Sequence, residues 1–109
     1  MIPKPGKAVR GSRSGRPIMA LLDLLGRRWA LRILWELRGG PLTFAELQAR
    51  CDAMSPSVLN QRINELRETR IVEHQRGGYR LSAEGMSLLE SLAPLREWAK
   101  RWARRGELD

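Results

Sequence analysis

Residues 42–81 read LTFAELQARCDAMSPSVLNQRINELRETRIVEHQRGGYRL, and this stretch decides the fold. It contains two helix starts that lie close together in the chain. Thr43 and Glu46 form a T-x-x-E capping box, in which a hydroxyl and a carboxylate each satisfy a free backbone N–H. Ser55 followed by Pro56 marks the second start, with a cap residue before a proline at the first helical position. The stretch therefore predicts two closely spaced helices.

The second of these helices, predicted over about residues 55–69, has two chemically different faces. Leu59, Ile63 and Leu66 recur at helical spacing and predict a buried stripe. The opposite face carries neutral side chains that both donate and accept hydrogen bonds, namely Ser57, Asn60, Gln61 and Asn64. An ordinary solvated face is the alternative interpretation, but such a face usually shows Lys and Glu. The pattern favours a surface that contacts a partner.

A short basic hairpin is predicted directly after this helix. Residues 71–72 and 79–81 are strand-like runs, and Gly77-Gly78 between them is a two-residue turn signal. Arg76 and Arg80 lie near the predicted tip. Two capped helices followed by such a hairpin predict a mostly α (α+β) fold, the winged helix-turn-helix with a short two-stranded wing. In that fold the second helix enters the DNA major groove, and basic wing residues can reach phosphates.

Two helices are predicted before this unit and one long helix after it. The first begins at Pro17 and stops at Gly26, and the second has Trp29 on its apolar face. The last helix has Ser82 as its cap. Pro94 lies inside the last helix, where we expect it to kink the helix or split it in two.

The positive charge of the chain favours a polyanionic partner, and nucleic acid is the favoured candidate. The 109 residues include 20 Lys and Arg against 12 Asp and Glu, a formal net charge of +8. Five basic residues and no acid lie in residues 1–16, so the rest holds 15 basic and 12 acidic groups, a net charge of +3. The folded body must therefore specify the partner by shape. The basic arm is also compatible with a solubilising tail.

Other function classes are disfavoured by composition. One cysteine and one histidine leave no disulfide, no Cys-rich or His-rich metal site and no catalytic constellation, so we predict no enzyme activity, cofactor or metal. Cys51 ends an apolar stripe and is expected to be buried. The longest apolar run, residues 18–22, is too short to span a membrane. Asp23 ends this run, so the run does not fit the apolar region of a secretory signal. A cytoplasmic, nucleoid-associated protein is therefore expected.

Five fragments in chain order resemble motifs of one protein family. They are residues 26–34 (GRRWALRIL), 42–47 (LTFAEL), 55–66 (SPSVLNQRINEL), 79–85 (YRLSAEG) and 95–98 (LREW). Together they resemble the HxlR family of bacterial transcriptional regulators. The resemblance implies a homodimer that binds double-stranded DNA through a winged helix-turn-helix.

Three features depart from that family's pattern. Many members carry a Cys-Pro pair before the first helix, where the thiol senses oxidants, but this chain has Arg16-Pro17. Thiol sensing is therefore not expected. The wing, with about six residues between Val72 and Tyr79, is shorter than usual and is expected to contact DNA less. Pro94 falls where the family's last helix normally continues, which affects the expected dimer geometry.

These observations divide the chain into a flexible basic arm (residues 1–16), a winged helix-turn-helix domain (17–105) and a tail (106–109). The predicted DNA-contacting residues are Ser55, Ser57, Asn60, Gln61, Arg62 and Asn64 of the helix, Arg76 and Arg80 of the wing, and Lys4, Lys7, Arg10 and Arg13 of the arm. The arm would add non-specific affinity, with a minor groove as one location.

Surplus apolar side chains on the first and last helices predict a homodimer interface. The residues are Ile18, Met19, Leu22, Leu95, Trp98 and Trp102. A protein-binding winged-helix module and an RNA-binding accessory protein are the alternative functions. The sequence identifies no small-molecule effector.

Overall fold

The computed structural model describes residue 5 and residues 16–108. Within this part of the chain, five α-helices and one two-stranded antiparallel sheet follow one another in the predicted order. The elements are α1 (Pro17–Leu25), α2 (Ala30–Glu36), a 3-10 turn (Leu37–Gly39), α3 (Phe44–Arg50), α4 (Pro56–Glu68), β1 (Val72–Gln75), β2 (Gly78–Leu81) and α5 (Ala83–Leu108). The mostly helical class with a small wing is confirmed.

Among the described residues, one hydrophobic core holds the helices against the hairpin. Leu59, Ile63 and Leu66 of α4 are buried in it, as the apolar stripe predicts. Leu47 of α3 and Ile33 of α2 are also fully buried and belong to the same cluster. Full burial of one such side chain contributes roughly 1.5–3 kcal/mol relative to exposure. The buried stripe therefore fixes which face of α4 meets solvent.

The predicted helix starts differ in how their caps are made. The Thr43 hydroxyl accepts a hydrogen bond from the Glu46 backbone N–H at 3.1 Å, and the Glu46 carboxylate accepts one from the Thr43 N–H at 2.9 Å. The hydrogen bond from the Thr43 backbone lowers the pKa of Glu46. The Ser82 hydroxyl caps α5 by accepting from the Gly85 N–H at 3.0 Å. Ser55 precedes α4 as predicted, but its hydroxyl lies against another side chain instead of capping the helix.

The hairpin turn lies one residue earlier than the sequence predicts. Gln75 pairs with Gly78, so Arg76 and Gly77 form the turn and Gly78 begins β2. The physical reason for this shift is a backbone bridge between Leu42 and Tyr79, which brings the Leu42 backbone into close contact with Gly78. A Cβ at residue 78 would lie 2.2 Å from the Leu42 carbonyl oxygen. Because it has no side chain, Gly78 lets the Leu42 backbone approach β2 closely, and it lies in the strand and not in the turn.

Two further expectations are corrected by the helices. Trp29, predicted inside the second helix, precedes α2 with φ +76°, a left-handed conformation that is uncommon for a bulky residue. α5 continues through Pro94 as one helix, so the alternative of a helix split in two is wrong, and the alternative of a kink stays a prediction. The proline still removes one helical hydrogen bond. α5 ends at Leu108. In the described part of the chain, no helix is long and apolar enough to cross a membrane.

We expect Gly78→Ala to destabilise the fold, because a side chain there meets backbone and because φ is +141°. Backbone strain of this kind costs about 1–3 kcal/mol. The control is Gly39→Ala, since nothing lies within 4 Å of a Cβ at that position. Urea denaturation of both variants measures the difference. Equal free energies of unfolding would contradict the close approach at Gly78.

We expect the Cys51 thiol to react slowly in the folded protein. Cys51 is fully buried, with 0% of its surface accessible to water. Burial raises the pKa of its thiol, while the nearby Arg32 acts in the opposite direction. Because the thiolate is the reactive form, the rate with a disulfide reagent should rise by about tenfold or more when urea unfolds the chain. Comparable rates in the folded and unfolded protein would refute this expectation.

Candidate nucleic-acid interface

The outward face of α4 forms a continuous strip of polar side chains. Ser57, Asn60, Gln61 and Asn64 are all exposed, and their spacing places them on one side of the helix. Ser55 is exposed just before the helix, and its hydroxyl oxygen lies 2.9 Å from that of Ser57. The first turn of α4 contains no acidic residue. The N-terminal half of α4 therefore presents hydrogen-bonding groups without negative charge.

Arg62 is the one predicted residue of α4 that turns inward. Its Nε donates to the Arg28 carbonyl oxygen at 2.8 Å, and its Nη1 donates to Glu65 Oε1 at 2.8 Å. The side chain is only 16% exposed. The contact with the Arg28 carbonyl ties α4 to the turn between α1 and α2. The described hydrogen bonds of the Arg62 side chain are all made within the protein. A contact between Arg62 and DNA stays a prediction.

The wing places its two predicted arginines differently. Arg76 lies in the turn and is exposed. Arg80 is exposed on β2, but its Nε donates to Glu73 Oε1 on β1 at 2.7 Å. An ion pair on a solvated surface contributes little to stability, so Arg80 can leave Glu73 and pair with another anion. Arg76 is thus the more available cation of the two. The remaining predicted contacts, Lys4, Lys7, Arg10 and Arg13, lie outside the described residues.

The predicted dimer residues form an exposed apolar surface along α1 and α5. Ile18, Leu22, Leu95, Trp98 and Trp102 are between 52% and 65% exposed, whereas Met19 is half-buried. The two tryptophan rings stack with centroids 5.8 Å apart and an interplanar angle of 17°. Large exposed apolar patches of this kind mark interaction sites.

This surface continues into a groove of about 450 Å³ between α1, α2 and α5. Its lining includes Leu22 and Leu95, together with Leu31 and Trp35 of α2. Leu31 and Trp35 are not among the residues predicted for this surface. Both residues extend the apolar stripe of the second helix, so the signal was present, but helical spacing alone does not show which part of a stripe stays uncovered. We call the exposed residues and this groove together the α1–α5 surface.

A largely buried ionic cluster joins α1, the turn after α1 and α4. Glu65 is the one charged residue that is buried among those described, at 5% exposure. Its Oε1 accepts from Arg62, and its Oε2 accepts from Arg27, which also pairs with Asp23 of α1. The Asp23–Arg27 spacing of four residues is visible in the sequence. The pairing of Arg27 with Glu65 is not, because 38 residues separate them.

Among the described residues, no group of three or more His, Cys, Asp or Glu side chains could hold a metal ion. The candidate site consists of a hydrogen-bonding helix face, a basic wing tip and an apolar surface on α1 and α5.

Comparison with known proteins places this arrangement in a family. A model of HxlR-like helix-turn-helix proteins matches residues 24–107. The uncharacterised HTH-type transcriptional regulator YvaP of Bacillus subtilis is 30% identical over 88 residues, which cover 74% of this chain and 82% of YvaP. The HTH-type transcriptional regulator YodB of the same bacterium is 30% identical over 92 residues, which cover 78% of this chain and 82% of YodB.

Solved structures support the same assignment. The crystal structure of quinone-bound YodB from B. subtilis matches with a TM-score of 0.73 and 31% identity, over 77% of this chain and 96% of that one. A protein from Enterococcus faecalis V583, described as a MarR-family transcriptional regulator, matches with a TM-score of 0.77 and 25% identity, over 84% and 90% of the two chains. These relatives are named as regulators and not as enzymes. The chain belongs to the HxlR-like helix-turn-helix family of transcriptional regulators.

Proposed function

We propose that this regulator is a homodimer that reads double-stranded DNA with α4 in the major groove. The observation that carries the proposal is the outward face of α4, which is exposed, polar and neutral opposite a fully buried stripe. Family membership supports DNA binding by the helix-turn-helix.

In this proposal the N-terminal half of α4 meets the bases. Asn and Gln amides can pair bidentately with adenine in the major groove, and a Ser hydroxyl can donate to or accept from base edges. Asn60 and Gln61 would supply the amides, and Ser57 the hydroxyl. Ser55 and the free backbone N–H groups of the first turn would meet a phosphate at the positive end of the helix dipole. Glu65 does not oppose this approach, because it is buried and paired.

The wing and the arm would provide contacts to the DNA backbone. Arg76 is the exposed cation at the wing tip. Arg80 would exchange its pairing with Glu73 for a phosphate. The basic residues of the arm would add affinity that does not depend on sequence, because they neutralise phosphates and release counterions.

The second copy would cover the α1–α5 surface. Leu95, Trp98, Ala99 and Trp102 follow one another at helical spacing on α5, and all are exposed. The small Ala99 side chain beside the stacked tryptophans would let a partner helix approach closely. The groove between α1, α2 and α5 continues this surface, so packing there would bury apolar area from both helices.

Thiol chemistry forms no part of this proposal. The solved YodB structure contains a quinone by its description, but Cys51 of this chain is fully buried and its thiol pKa is raised. Arg16 stands where the resemblance would place a reactive cysteine.

We expect Gln61→Ala to weaken binding to a preferred duplex by about 1–3 kcal/mol, the value of a bidentate contact to a base. The preferred duplex would come from selection out of a random library. Fluorescence anisotropy would compare it with a scrambled duplex, for which we expect no change. Ser87→Ala on the exposed part of α5 is the control. Equal weakening on both duplexes would refute base reading by Gln61, and stronger binding to structured RNA would overturn duplex DNA as the partner.

We expect sedimentation at micromolar concentration to give twice the mass of one chain. Trp98→Ala combined with Trp102→Ala should shift the protein toward the monomer, because it removes the largest exposed apolar side chains of α5. Arg101→Ala, on the same part of α5, is the matched control and should leave the mass unchanged. A wild-type monomer would contradict the dimer, and an unchanged double variant would contradict this interface.

A further inference from the structure

We propose that Arg27 is a positioning residue that couples the α1–α5 surface to the polar face of α4. The inference rests on the proposed function, since it assigns a partner copy to the first surface and DNA to the second. It concerns the ionic cluster of Asp23, Arg27, Arg62 and Glu65.

The cluster connects three separate parts of the chain. Asp23 lies on α1, Arg27 in the turn after α1, and Arg62 and Glu65 on α4. Arg27 Nη2 lies 3.4 Å from Asp23 Oδ2, and its Nη1 binds Glu65 Oε2. The other oxygen of Glu65 accepts from Arg62 Nη1 at 2.8 Å. One carboxylate is therefore shared between a guanidinium from the α1–α2 turn and one from α4 itself.

The same turn holds α4 by a second contact. Arg62 Nε donates to the carbonyl oxygen of Arg28 at 2.8 Å. Arg62 thus touches both the buried carboxylate and the backbone of the turn. Because two directional contacts join the turn to α4, sliding or rotation of α4 relative to α1 would break at least one of them.

Burial makes these contacts more consequential than surface ion pairs. The side chains of Asp23 and Glu65 are 8% and 6% exposed, and that of Arg27 is 22% exposed. A charge removed from water in this way is strongly destabilised when one of its partners is lost. The arrangement of α1 and α4 that keeps all the pairs is therefore favoured over nearby arrangements.

The cluster lies beside both functional surfaces along the chain. Asp23 directly follows Leu22, which is 55% exposed on the α1–α5 surface. Glu65 is one helical turn from Gln61 on the polar face. Packing of a second copy against α1 would hold Asp23 and Arg27 in place and so fix the direction in which α4 presents its amides. Coupling between two binding events is reciprocal, so duplex binding should in turn favour the dimer.

The test is Arg27→Met, which keeps an unbranched apolar stem and removes the guanidinium. Arg28→Met is the matched control, because it removes the same charge one residue away. The Arg28 side chain is exposed, with its guanidinium 5.8 Å from the Trp29 ring, and the substitution keeps the carbonyl that Arg62 binds. Anisotropy would measure binding of each variant to the selected and the scrambled duplex. Sedimentation would measure dimer dissociation with and without the selected duplex.

We expect Arg27→Met to reduce the preference for the selected duplex by about tenfold, within the usual range of coupling between sites. Binding to the scrambled duplex should stay within about twofold, since the phosphate contacts are kept. The selected duplex should no longer strengthen the dimer. Arg28→Met should keep the wild-type preference and the wild-type linkage.

A purely structural role for Arg27 predicts a different result. Loss of folded protein would weaken binding to both duplexes in the same proportion, so the measurements would be made well below the melting temperature of each variant. Arg27→Lys and Asp23→Asn give further checks if the Met variant does not fold. Lysine should recover part of the preference by pairing with Glu65, and Asp23→Asn should weaken the linkage to the dimer more than it weakens DNA binding.

The failures of the two proposals are distinguishable. If the wild type shows no preference for the selected duplex, or stays monomeric on it, the proposed function is wrong and the coupling falls with it. If the wild type dimerises and prefers the selected duplex, but Arg27→Met retains preference and linkage, only the coupling is overturned.

Discussion

The burial of three side chains on α4 is the constraint on which the candidate interface depends. Leu59, Ile63 and Leu66 are each at most 1% exposed. Rotation of α4 away from this position would bring Asn or Gln amides into the core. Each buried amide without a partner would cost about 1–3 kcal/mol. Burial of the apolar stripe therefore fixes the rotation of α4, and this rotation leaves the polar side chains of the helix exposed to solvent.

The sequence was sufficient for features whose cause is local. The T-x-x-E capping box at Thr43, the proline starts of two helices and the stripe of α4 all depend on residues a few positions apart, and the structure has each of them. The assignment to the winged class follows from the order of these local signals. Much of the candidate interface could be found in the same way, because exposure on α4 follows from the spacing of its apolar residues.

Features that depend on distant parts of the chain could not be found in this way. Gly78 resembles a turn residue until the Leu42 backbone is placed against it. Arg62 follows Gln61 directly, and its position in the sequence predicts a DNA contact, but its guanidinium binds the carbonyl oxygen of Arg28 and the carboxylate of Glu65 within the protein. A proline usually ends or kinks a helix, yet α5 continues through Pro94 with the loss of one backbone hydrogen bond.

The bridge between Leu42 and Tyr79 has a consequence for solubility. It covers part of one edge of the small sheet, because β2 has β1 on one side and Leu42 on the other. The outer edge of β1 is the one that no described strand covers, and an uncovered strand edge is a template for pairing with another chain. β1 has only four residues, and its middle positions are the exposed Glu73 and His74. A short edge with a charge at its centre resists strand-to-strand association, so β1 is a poor template for cross-β contacts between chains.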